Sequence, residues 1–76
     1  MPLTIAISRP ALVARIERAL AKQGRELRSR QPFKWHTRKY LIIDVQQQII
    51  VASYTDLVTL GRELGRLEPW EQLAAG

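Results

Sequence analysis

The sequence predicts an α+β domain: a three-stranded antiparallel sheet with two helices packed on one face. Three observations predict it. Two stretches, near residues 12–20 and 57–64, carry apolar residues at helical spacing. Between them, residues 40–45 and 49–54 form two runs rich in β-branched side chains, separated by three glutamines. Ahead of these, residues 25–30 read as a short charged strand anchored by Leu27 alone. The resulting order, α-β-β-β-α, buries both helical stripes most simply when the helices share one face of the sheet.

The chain has 76 residues, which is one domain, residues 1–76. A chain of this size buries only about 60% of its unfolded surface, so the core is thin and a large catalytic cleft is not expected. At 46% apolar and 25% charged, the composition is that of a folded domain. Cysteine is absent, which removes disulfides, thiolate metal sites and thiol chemistry. No run approaches the roughly 18–20 apolar residues of a membrane span, and the start of the chain lacks a basic n-region and a long apolar h-region. A cytoplasmic, non-membrane protein is the expectation, as a monomer or weak homodimer.

The elements follow in order. Leu3, Ile5 and Ile7 alternate with Thr4, Ala6 and Ser8, which is either a short strand or an apolar lead-in to the first helix. In that helix Leu12, Val13, Ile16, Ala19 and Leu20 gather on one face. Pro10 suits the first turn, Ser8 is the better N-cap, and Gly24 is the C′ residue that ends the helix. The strand at residues 25–30 is too charged for the middle of a sheet and belongs at an edge. Residues 29–37, with Pro32, read as a loop. In the hairpin, Leu41, Ile43 and Val45 share one face, and Tyr40, Ile42 and Asp44 the other. The second helix starts at Thr55 or Asp56 and buries Leu57, Leu60 and Leu64. Gly61 inside it calls for close packing against a neighbour, Gly65 is a C′ candidate, and Leu67 supplies the accompanying apolar contact. Residues 69–73 read as one more turn, with Trp70 folded into the core.

Function is hinted at by charge alone. The whole chain has a net charge of +5, and residues 25–40 carry that entire excess, with six cations against Glu26. The rest is balanced. The same segment holds Phe33, Trp35 and Tyr40, and the only histidine, His36. Cations interleaved with rings are the pattern of single-strand nucleic-acid binders, in which bases stack on rings and Lys or Arg meets phosphate. The expected phosphate contacts are Arg25, Arg28, Arg30, Lys34, Arg38 and Lys39, with Trp35 and Tyr40 stacking. Arg15, Arg18 and Lys22, a basic stripe on the first helix, extend the track. The structural alternative makes that stripe the wet side of a helix and packs Phe33 into the core. Trp35 is open to either role.

The element order resembles that of the double-stranded-RNA-binding-domain class and of the small interferase toxins built on the same frame. The first resemblance implies a lysine cluster at the start of the last helix, where this chain has Thr55, Asp56 and Leu57. The second implies a Gly-Ser-His on a strand, where His36 is instead preceded by Lys34 and Trp35. The pattern Asp56-Leu-Val-x-Leu-Gly-Arg-Glu-Leu-Gly-x-Leu-x-Pro-Trp-Glu71 also looks like the endings of short uncharacterised bacterial proteins, a resemblance that brings no activity with it.

The reading is therefore a small basic, non-catalytic nucleic-acid-binding module for RNA or single-stranded DNA, of low sequence specificity. The alternative is a protein-interaction module that docks an acidic partner, using Leu67, Trp70 and Leu73 or an exposed strand edge as its apolar anchor. A ribonuclease would need His36 with a second group such as Lys34, Arg38, Tyr40 or Asp44. No cofactor is expected, and no metal site, because one histidine and scattered acids offer no ligand spacing.

Overall fold

A computed structural model describes residues 4–30 and 38–74. Its elements are β1 (Ile5–Ile7), α1 (Arg9–Ala21), β2 (Arg25–Arg30), β3 (Lys39–Asp44), β4 (Ile49–Tyr54), α2 (Leu57–Glu63) and β5 (Glu71–Leu73). The predicted α+β architecture is present. β2, β3 and β4 form an antiparallel sheet in that order, and a second, parallel pair joins β1 to β5. Among the described residues, no helix is long and apolar enough to cross a membrane.

Both helix starts follow from local chemistry. Ser8 is extended, and its Oγ accepts the Ala11 N–H at 3.3 Å, capping α1. Asp56 caps α2 by accepting from the Val58 N–H at 3.2 Å and the Thr59 hydroxyl at 2.8 Å. The helix ends differ. Lys22 caps α1 in helical geometry, so C′ is Gln23, and Gly24, the expected C′, takes positive φ one position further on. The end of α2 has the Gly65 N–H bonded to the Arg62 carbonyl and the Arg66 N–H to that of Gly61, the paired bonds of a Schellman motif. That motif needs a left-handed residue at position 65, and Gly65 takes φ +68.

The core lies between the helices and one face of the sheet. It is built from Leu12, Ile16 and Leu20 of α1, Tyr40 and Ile42 of β3, Leu57 and Leu60 of α2, and Leu67. Leu27, Ala52 and Tyr54 pack against it from the same sheet face. Gly61 is needed for proximity: a Cβ there would lie 3.1 Å from Leu12 Cδ1 and 3.4 Å from Leu67 Cβ.

The hairpin has the predicted faces, with one correction at its end. Val45 is not in β3 but in the turn, where Gln48 adopts φ +58 and the Gln47 N–H bonds to Asp44 Oδ1 at 2.9 Å. A register shift between Ile42 and Ile43 marks a bulge: Ile42 opposes Ala52, and Ile43 opposes Ile50. Val51 is the extra residue.

Two expectations near the C-terminus are overturned. Residues 71–73 are not turn but strand, in register with Ile5, Ala6 and Ile7. The Ile5 N–H bonds to the Trp70 carbonyl and the Ala74 N–H to that of Ile7, both at 2.8 Å. Trp70 is not core; it is 52% exposed. Its backbone serves the ribbon, while Leu67, three residues earlier, is buried in the core.

Candidate nucleic-acid interface

Strand alternation sorts the cations of β2 and β3 into two sets. Leu27 opposes Ile42 and Ser29 opposes Tyr40, so this set of positions faces the helices. Arg25, opposite Asp44, belongs with them. It is half-buried, and its guanidinium donates to Gln23 Oε1 at 3.4 Å. Glu26, Arg28 and Arg30 alternate onto the outer face, opposite Ile43, Leu41 and Lys39 respectively. The sheet thus gathers Arg28, Arg30 and Lys39 on one surface and turns Arg25 away from them.

These three are exposed. Arg28 pairs with Glu26 at 2.6 Å. Arg30 and Lys39 stand directly across the ladder from each other, and no described carboxylate forms an ion pair with either. Other acids are engaged in holding the backbone and side chains: Asp44 braces the hairpin turn, Asp56 caps α2, and Glu63 accepts the Tyr54 hydroxyl at 2.5 Å. That last bond, first among its causes, raises the Tyr54 pKa.

Tyr40 corrects the predicted stacking role. Its ring is 6% exposed in the core, and its hydroxyl accepts from Arg9 Nη1 at 2.6 Å. A base cannot reach that ring. Arg38 is exposed and donates to Ser29 Oγ at 3.1 Å. Lys34 and Trp35, with Phe33 and His36, lie outside the described residues. Of the groups considered as help for His36, Asp44 is tied to the turn at the far end of β3, about 20 Å along the strand from Arg38.

The helical stripe is a separate site. Arg15, Arg18 and Lys22 line a cleft of about 230 Å3 together with Gly65, Arg66 and Glu71. They therefore lie in the helix layer, on the opposite side of the sheet from Arg30 and Lys39. Arg15 is spoken for. Its Nη1 reaches both oxygens of Glu71, at 2.9 and 3.1 Å, and the Glu68 N–H adds a third bond at 3.0 Å. Glu71 is 7% exposed. The Arg15 hydrogen bond, followed by that from Glu68, holds its carboxyl below the usual glutamate value, against the opposing effect of burial. The same bond raises the Arg15 pKa. Arg15 is thus a structural cation joining α1 to β5, not an extension of a phosphate track. Arg66 was not anticipated; the only signal for it was its place after Gly65.

Of the two apolar anchors considered, the Leu67, Trp70 and Leu73 patch does not form. Leu67 is buried, Leu73 is half-buried, and only Trp70 is open to solvent. A second cleft, of about 750 Å3, sets Arg9 and Arg38 against Glu17 and Asp56, with Tyr40 and Leu57 in its wall. Its described charges balance, so it offers an anion no net attraction. Comparison of the chain with protein-family models, curated proteins and solved structures finds no match.

Proposed function

We propose that this protein is a small non-catalytic nucleic-acid-binding module. It takes RNA or single-stranded DNA with low sequence specificity on the outer face of its sheet, at Arg28, Arg30 and Lys39. One observation carries the reading: Arg30 and Lys39 oppose each other across β2 and β3 with no described carboxylate paired to either. Like charges directly opposite in a ladder are unfavourable, by an amount on the order of 0.2–1 kcal/mol. A phosphate lying between them reverses that sign. The contact is electrostatic, and phosphate contacts position a strand without reading its sequence. The burial of Tyr40 removes one stacking ring and moves the reading further towards backbone recognition.

Affinity for a short labelled oligouridylate, measured by fluorescence anisotropy over a salt series, tests this. Each phosphate contact on a single strand contributes about −0.7 to the slope of log K against log salt, so three contacts give about −2. A flat slope, or no binding at low salt, overturns the reading.

A further inference from the structure

The two clefts differ in charge. The larger sets two described cations against two acids. The smaller, of about 230 Å3, lies where the end of α1 meets the end of α2. Arg18 and its neighbour one turn on, Lys22, line it from α1 and its cap, and Arg66 lines it from just beyond α2. All three side chains are exposed, and among the described residues none of them has a hydrogen-bond or ion-pair partner. Of the two acids in the lining, Glu71 is neutralised by Arg15. Glu68 remains, so the three unpartnered cations leave the cleft a net charge of +2.

Open carbonyls at a helix C-terminus repel an anion. Here the last carbonyls of both helices are occupied. At the end of α1, the Leu20 and Ala21 carbonyls accept from the N–H groups of Gln23 and Gly24 at 2.9 and 3.1 Å. At the end of α2, the Gly61 and Arg62 carbonyls accept from Arg66 and Gly65 in the Schellman motif. The Arg66 carbonyl accepts from Arg15 Nη1 at 3.3 Å. Arg15 thus covers both a carbonyl and the Glu71 carboxylate in the wall of the cleft, and leaves the other cations free.

We propose that this cleft binds a phosphate dianion, free or at the end of a small molecule, with Arg18, Lys22 and Arg66 each meeting one of its oxygens. Charge and shape select this ligand. A net +2 matches a dianion. A terminal phosphate presents three strong acceptor oxygens, one for each cation, where a carboxylate presents two. Two of the three cations are guanidinium forks, which suit phosphate oxygens. The cleft is smaller than the roughly 300–1,000 Å3 of sites for drug-sized ligands, so it takes the phosphate and leaves the rest of a larger molecule outside. An internal phosphodiester carries one charge and a sugar on either side, and matches neither property. The site lies on the opposite side of the sheet from Arg30 and Lys39 and does not rest on nucleic-acid binding there.

Amide chemical shifts followed during titration with inorganic phosphate, and separately with uridine monophosphate, read the site residue by residue. Ionic strength is held constant with chloride, at about pH 7.5, where a phosphate ester is a dianion. The Lys22, Gly65 and Arg66 amides should shift and saturate while those of Arg30 and Lys39 respond weakly. Saturation by either compound supports the proposal, and the tighter of the two says whether the phosphate is free or carried by an organic molecule. Arg66→Gln and Lys22→Gln, both at exposed positions, should each weaken binding by about tenfold. Glu68→Gln removes the one opposing charge and should tighten it, a change of sign that loss of structure cannot produce. Shifts that never saturate, or that are as large at Arg30 and Lys39, overturn the proposal. So does affinity that is the same in the wild type and the folded Arg66 and Lys22 variants.

Discussion

Arg15 and Arg30 have the same side chain and opposite situations. Arg15 projects from α1 into a carboxylate that is itself buried, and the pair ties the first helix to the last strand. Arg30 projects from β2 into solvent and faces Lys39. The basic stripe of the helix and the basic end of the sheet look alike as text. The difference shows that a cation becomes a candidate for binding through what is missing around it. Glu71 stands 56 residues beyond Arg15, and nothing local announces the pairing.

The contrast breaks most severely at Glu71. Glu71→Lys sets two cations together in a buried position where an ion pair stood. It should lower the thermal midpoint more than any variant of the outer sheet face, as followed by circular dichroism. Next in size is the effect of Arg30→Gln with Lys39→Gln on nucleic-acid affinity. The slope of log K against log salt should become shallower by about 1.4, two contacts at roughly 0.7 each, while stability is kept. Arg18→Gln with Lys22→Gln is the matched control in the helix layer and should leave the slope within about half a unit of wild type. Equal losses from both pairs would mean that the two basic regions act as one track.

Acidification sharpens the comparison. The Glu71 carboxyl is held below its ordinary value by Arg15 and the Glu68 N–H. A depressed folded pKa contributes stability that is fully present above the unfolded value, near 4.3, and is lost as pH falls through the folded value. Stability against urea should therefore fall as the solution is acidified below about pH 4, and Glu71→Gln should flatten that fall. Arg30→Gln should leave it intact, since it does not touch the Arg15–Glu71 pair. The smallest effect expected is on stability at neutral pH. Arg30→Thr removes a like-charge opposition and adds a β-branched residue to an edge strand, and should stabilise by a few tenths of a kcal/mol.

Local chemistry made much of the fold legible. Ser8 and Asp56 mark helix starts because a side-chain oxygen caps N–H groups only two or three residues away. Gly65 marks a helix end because few other residues tolerate its φ. Gly61 could be read as a close contact from its cost inside a helix, though not as a contact with Leu12 and Leu67. β5 was illegible. Three residues carry no period, and the ladder that makes them a strand comes from Ile5 to Ile7 at the other end of the chain. Trp70 was assigned to the core on size, but the ribbon uses its carbonyl and leaves its ring exposed. Tyr40 was assigned to the surface by its basic neighbours, but strand alternation turned it inward beside Ile42.

The amino-acid order alone settled the helices, the hairpin, the edge position of β2 and the excess of cations near the middle of the chain. These depend on spacings of two to four residues and on residue types, which can be read along a line. Which cations share a surface was settled by folding. Pleating sent Arg28 and Arg30 to one side of the sheet and Arg25 to the other, and the return of the chain to β1 brought Glu71 against Arg15. Charge and burial act through distance in space, and only the closed chain brings residues 15 and 71, or 30 and 39, to the separations at which those forces count.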